Sequence, residues 1–118
     1  MSSTHLQGAL LKLAIGIAIL FAACSDDEII TYPDCIQDKI DELSNQPVFN
    51  PPAKIEQWEV DEIIFYYITS DCCDQFDNLY SEDCEFICAP TGGISGNGDG
   101  NCTDLSNAII RLVWEDPR

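Results

Sequence analysis

The chain has 118 residues, which suits one domain. It sets 21 Asp and Glu against 5 Lys and Arg, a formal net charge of −16. A surface of that sign repels phosphate backbones, so nucleic acid is not an expected partner.

The charge starts late. Lys12 is the only basic residue ahead of Cys24, and no Asp or Glu precedes it. The chain from Cys24 onward therefore keeps four basic residues against all 21 acids, a net −17. Residues 13–23 form an apolar run ending in Phe21-Ala22-Ala23-Cys24. A weakly basic start, an apolar stretch and small residues before a cut are the layout of a secretory signal. From Gly8 to Ala23 the apolar stretch is 16 residues long with Lys12 inside it; a membrane span needs about 20. The cysteine after the small residues resembles a bacterial lipobox, with Phe21 where Leu is usual. That resemblance implies a signal peptide over 1–23, lipidation at Cys24 and a membrane anchor. Ser25-Asp26-Asp27-Glu28 reads as a solvated acidic tether running to residue 33. It resembles the serine-plus-acid signal that directs lipoproteins of Bacteroidota to the outer face of the outer membrane, which implies a cell-surface location.

A domain of this size has a marginal core and needs staples. Beyond Cys24 six cysteines remain: Cys35, Cys72, Cys73, Cys84, Cys88 and Cys102. An even number in an exported chain favours about three disulfides over a metal cluster or free thiols. Adjacent Cys72 and Cys73 point to opposite faces of extended chain, so each is expected to bond elsewhere. Cys84 and Cys88 on one strand would lie roughly 13 Å apart, beyond disulfide reach. Of about 15 pairings, about ten survive these two restrictions. The favoured set links Cys35 to a member of the vicinal pair, and Cys102 to Cys84 or Cys88.

In chain order, Asp34 reads as a helix N-cap with Gln37 as its capping-box partner. Ile36, Ile40 and Leu43 follow at helical spacing, and the helix should end near Ser44 or Asn45 ahead of Pro47. Residues 54–60 and 63–69 read as strands joined at Asp61-Glu62, a two-residue hairpin with unfavoured turn chemistry. Residues 63–69 are apolar or aromatic on both faces, as in a central strand. Residues 76–80 read as a turn or short helix. Residues 85–88 read as a strand ended by Pro90. Residues 91–101, with five glycines, read as a loop. The alternation of Ile110, Leu112 and Trp114 with Arg111 and Val113 predicts a closing strand. The expected fold of residues 34–118 is α+β: one N-terminal helix on an antiparallel sheet of three to four strands.

Several motifs together resemble an uncharacterised family of small, cysteine-rich Bacteroidota lipoproteins, a domain of unknown function. They are Asn50-Pro-Pro-Ala53, Phe65-Tyr-Tyr-Ile68, Cys72-Cys-Asp74, Cys88-Ala-Pro90, Gly92-Gly93, Gly96-Asn-Gly-Asp-Gly-Asn-Cys102 and Trp114-Glu-Asp-Pro-Arg118. The likeness covers nearly the whole stretch from Cys35. It implies no activity. The chain departs from the family it resembles, which often has Lys at the places of Asn97 and Asn101 and a Gly-containing turn at the place of Asp61-Glu62.

Candidate chemistry is sparse. The only histidine is His5, inside the expected signal, which leaves no Ser-His, Cys-His or His-zinc site in the rest. No phosphate-cradling or dinucleotide fingerprint occurs. Asn97, Asp99, Asn101 and Asp104 offer oxygens in the manner of a calcium loop, but Cys102 and Ala108 stand where an EF-hand requires Gly and Glu. A glycine turn leading into a staple explains them better, and no metal or cofactor is expected. Trp58, Phe65, Tyr66, Tyr67 and Trp114 could stack on sugars or fill the core, with one of the adjacent tyrosines half-exposed. The expectation is a non-enzymatic, surface-exposed lipoprotein that binds a protein or glycan. The alternatives are a protease inhibitor with a bait loop over 90–101 and a calcium-dependent domain.

Overall fold

The computed structural model describes residues 29–71 and 74–118. The expected signal segment, Cys24, the acidic residues to Glu28, and Cys72 and Cys73 lie outside the described residues. What is described is one helix, α1 (Asp34–Ser44), and five strands: β1 (Lys54–Val60), β2 (Ile63–Ile68), β3 (Phe76–Tyr80), β4 (Phe86–Gly92) and β5 (Ile109–Glu115). The strands form one antiparallel sheet in the order β4-β3-β2-β1-β5. The α+β class holds, with five strands instead of three to four.

The N-cap of α1 is Pro33, with no side-chain cap; its carbonyl accepts from the amides of Ile36 and Gln37. Asp34 is the first helical residue, where its charge suits the helix N-terminus. Gln37 is engaged instead by the Tyr32 hydroxyl at 2.8 Å and by Asp41. Ile36 and Ile40 are buried and pack on Ile55 and Tyr66, with Tyr32, Leu43, Ile64 and Ile68 around them. Each buried isoleucine is worth about 2–3 kcal/mol by area. The helix is tied at both ends: Cys35 is bonded to Cys84, and Arg118 donates to the Leu43 carbonyl while clamping Asp116.

β1 and β2 turn at Asp61 (φ 51°) and Glu62 (φ 69°), the left-handed pair that a two-residue hairpin of this twist requires. β2 is the central strand, and both of its tyrosines are buried, Tyr66 at 2% and Tyr67 at 8% exposure. Neither is half-exposed, because α1 covers one face of the sheet and the segment after β4 covers part of the other. Tyr67 packs with Leu79 and Cys88, under Cys102 and Leu105.

Residues 76–80 are strand β3, not turn or helix; pairing to β2 and β4 overrides the turn-forming Asp77-Asn78. β4 runs through Pro90 to Gly92; it is an edge strand, and Pro90 falls at the register shift between the Leu79–Cys88 and Asp77–Thr91 pairs, a place where a sheet tolerates proline. In β5 a bulge intervenes: Ile55 pairs with Trp114 and Glu56 with Leu112, leaving Val113 as the extra residue. Val113 and Trp114 both pack on the helix side. Ile110 and Leu112 face the other way, so the alternation read as one face is split in two.

Candidate functional site

The register sorts side chains by face. On the side away from α1, Trp58 stands opposite Phe65 on β2 and opposite Ile110 on β5, and Glu56 stands opposite Tyr67 and Leu112. The β3–β4 half of this face is covered by the 88–102 disulfide and Leu105. The β1–β5 half is open. Ile110 and Leu112 are each 51% exposed there, and Ile63 at the hairpin end is 58% exposed. Trp58 and Phe65 are half-buried between them. Trp58 stacks on Tyr67, ring centroids 4.9 Å apart.

Tyr67 is the anchor of this surface. Its hydroxyl lies 2.8 Å from Thr91 Oγ1 and donates toward Asp77 Oδ2 at 3.3 Å. Thr91 Oγ1 donates to the same oxygen at 3.1 Å. Asp77 Oδ1 accepts from the Ser70 amide at 2.8 Å and the Ser70 hydroxyl at 2.9 Å. Burial pushes the Tyr67 hydroxyl above its ordinary 10.0; the Thr91 bond opposes this and the Asp77 charge adds to it. At neutral pH Tyr67 is therefore a donor. Asp77 thus has donors on both oxygens and joins β3 to β2, to β4 and to Ser70.

Beside this network lies a cleft of about 350 Å³, where Lys54, Ser70, Asp71, Asp77 and Glu115 meet Pro52 and the cis Asn50–Pro51 bond. Lys54 Nζ is 3.5 Å from Glu56 Oε2, and Glu56 Oε1 accepts from the Trp58 indole at 3.3 Å. The face thus runs from this cleft, with its charged groups, through Glu56 and Tyr67 to the Trp58–Phe65–Ile110 row. Such a surface offers apolar area, aromatic faces and hydrogen-bonding groups for binding.

The other described residues singled out from sequence have structural contacts. Asp99 accepts from the Asn101 and Ala89 amides, and these bonds hold its carboxyl below its ordinary 3.8. The Ser106 side chain, and then the Ser106 amide that donates to Asp104 at 2.9 Å, hold the Asp104 carboxyl below its ordinary value as well. Asn97 and Asn101 contribute backbone amides to Ser95 and Asp99. Among the described residues no three His, Cys, Asp or Glu side chains converge on a metal-sized site. Cys35 pairs with Cys84 instead of with Cys72 or Cys73, because α1 delivers it to the turn before β4; Cys102 pairs with Cys88. Tyr66 and Trp114 belong to the helix-side core. Asp77, Thr91, Lys54 and Glu56 escaped sequence reasoning. Asp77 and Glu56 look like any other of the 21 acids until the strand register is known.

A family profile described as Domain of unknown function (DUF6970) matches residues 41–116. The matched stretch holds the whole sheet, the Tyr67 network and the 88–102 disulfide, while Cys35 lies ahead of it. No curated protein matches, and no solved structure matches.

Proposed function

The chain belongs to the DUF6970 family of domains of unknown function, and from that premise we propose that it is an exported, lipid-anchored binding module. The observation that carries the binding role is the open β1–β5 half of the sheet face. It joins a partly exposed indole, Phe65 and two half-exposed aliphatic side chains to a cleft that holds Lys54, Asp71, Asp77 and Glu115. A contiguous apolar strip rimmed by polar groups is typical of recognition surfaces. Export rests on the Phe21-Ala-Ala-Cys24 sequence and on disulfides, which persist in oxidising compartments. The anchor at Cys24 and the acidic run after it fit presentation on the cell surface. With no histidine beyond His5, the domain has no familiar catalytic set, and it acts by binding.

The test is retention of a protein or glycan by the full chain in detergent, drawn from defined glycan arrays and from separated envelope proteins. A ligand retained by the native chain and lost with Trp58→Ala supports the reading. Equal retention by the variant, or none by either, overturns it. Labelled palmitate entering the native chain but not Cys24→Ala tests the anchor, and protease access on intact cells tests surface display.

A second reading has one observation in its favour. Ile94 is 95% exposed at the tip of the segment closed by the 88–102 disulfide, which fits a protease inhibitor's bait residue. Gly93 and Gly96, at φ 76° and 78°, bend that tip into a tight turn instead of the extended form a protease cleft takes. No inhibition across a panel of serine and cysteine proteases would remove it.

A further inference from the structure

The two edges of the sheet are finished differently. At the β4 edge the Ala89 amide donates to Asp99 Oδ2 at 3.0 Å, and its carbonyl accepts from the Asp99 amide at 2.9 Å. Further along, Gly92 exchanges bonds with Gly96 and Gly98, and Pro90 has no amide to offer. Gly98 crosses so close that a Cβ there would collide with the Ala89 carbonyl. This edge is sealed.

The β5 edge is not. Among the described residues its backbone pairs with β1 alone. It is seven residues long, and Ile109, Ile110 and Leu112 are each 51% exposed. Proteins blunt such edges with proline, lysine, bulges or a covering loop. Among the described residues Arg111 and the Val113 bulge are the only such devices on this edge.

We propose that β5 is a docking edge for an extended segment of a partner protein that alternates basic and apolar residues. The proposal rests on the binding-module reading and specifies its partner. An added strand would pair with β5 through backbone bonds and set every second side chain beside Ile110 and Leu112, extending the row that begins at Phe65 and Trp58. Charge selects the occupant. Exposed Glu115 closes one end of the strip and exposed Asp61-Glu62 the other, on a chain of net charge −16. A basic segment is attracted by this field, whereas a second copy brings another −16 and is repelled.

The experiment uses the full chain in non-ionic detergent and three labelled peptides of strand length. One alternates Lys and Val, one alternates Glu and Val, and the third is the Lys-Val peptide with its backbone N-methylated throughout. Fluorescence anisotropy reads affinity, and hydrogen exchange reads which amides are covered. The expected result is saturable binding of the Lys-Val peptide, with both other peptides at least about tenfold weaker. Slowed exchange should be confined to residues 109–115. Ile110→Lys and Leu112→Lys should each weaken binding about tenfold, while Phe86→Lys on the sealed edge should leave it unchanged. Unaltered melting temperatures verify that the variants fold. Equal binding of the N-methylated peptide, protection elsewhere, or self-association abolished by Leu112→Lys each overturns the proposal. If no peptide binds but Trp58-dependent ligand retention persists, the edge proposal falls and the binding-module reading stands. If both fail, both fall.

Discussion

Trp58 stacks on Tyr67 with ring centroids 4.9 Å apart and planes 20° from parallel. The two are diagonal neighbours on β1 and β2, so the partly exposed indole stands on a buried ring whose hydroxyl is tied to β4 and β3. Rigidity at the surface is inherited from that buried anchor. Tyr67→Phe keeps the stack, removes the hydroxyl and leaves Thr91 short of a partner, a loss of about 1–3 kcal/mol. Tyr67→Ala also empties the space beneath the indole, for about 3–5 kcal/mol. Denaturant unfolding measures both. Trp fluorescence should shift to the red in the alanine variant only.

Asp77 collects the Ser70 amide, the Ser70 hydroxyl, Tyr67 and Thr91 on its two oxygens. Asp77→Ala strips all of them of their acceptor and should destabilise by about 2–4 kcal/mol. Asp77→Asn retains one acceptor oxygen but turns an amide donor toward groups that also donate, so about half of that loss is expected. The ordering Ala worse than Asn, read from unfolding midpoints, identifies Asp77 as an acceptor. Equal losses would point to charge instead.

The legible parts of this fold are those set by local pattern. Ile36, Ile40 and Leu43 fix the helix, and the doubly apolar run of β2 fixes the centre of the sheet. β3 was hidden because Asp77 and Asn78 are turn formers. It is a strand because two neighbours pair with it and because three hydroxyl-bearing residues receive the carboxylate. Pro90 misled for a related reason: it ends a central strand but not an edge strand, and nothing local marks β4 as an edge. The Val113 bulge turns Trp114 to the helix side and leaves Leu112 on the open face, whereas alternation alone puts both on one face. Of the aromatic residues named from sequence, only Trp58 and Phe65 therefore reach the candidate surface. Cysteine pairing is non-local, and spacing could remove impossible pairs without choosing among the rest.

The hairpin holds two non-glycine residues, Asp61 and Glu62, at φ 51° and 69°. Each pays roughly 1 kcal/mol for a left-handed backbone. Replacing the pair by Asn-Gly, the turn this geometry prefers, should stabilise the domain by about 1–2 kcal/mol, and each kcal/mol raises Tm by about 4–8 °C. Calorimetry checks it. Because both side chains are exposed, no lost contact offsets the gain.

Stability should fall at both pH extremes, for different residues. Bonds from Arg118 hold Asp116 below its ordinary 3.8, and amide bonds do the same for Asp99, as Ser106 does for Asp104. Carboxylates lowered on folding stabilise above their unfolded value, and that contribution is lost as pH falls through the lowered values. Tyr67 is raised from 10.0 by burial, so its contribution is complete below 10.0 and is lost as pH rises beyond it. Unfolding midpoints against pH should form a plateau between these limits. Asp116→Asn should soften the acid limb, and Tyr67→Phe the alkaline one.

The two described disulfides close loops of different length, with separations of 49 residues for Cys35–Cys84 and 14 for Cys88–Cys102. Chain entropy assigns about 4 kcal/mol to the longer and about 3 to the shorter. Their local consequences differ more than these figures do. Cys35–Cys84 fixes α1 to the turn before β4, so the Cys35→Ser/Cys84→Ser double variant should free the helix. Faster amide exchange in residues 34–44 would report that, with β3 and β4 little changed. Cys88–Cys102 covers Leu79 and Tyr67, so its removal should speed exchange in the 93–108 segment and expose the Trp58 stack. Acidic proteolysis of the unreduced chain, which suppresses exchange between cysteines, should yield peptides joining Cys35 to Cys84 and Cys88 to Cys102. A peptide joining Cys35 to Cys72 or Cys73 would break the arrangement, because Cys35 can form only one disulfide and is bonded to Cys84.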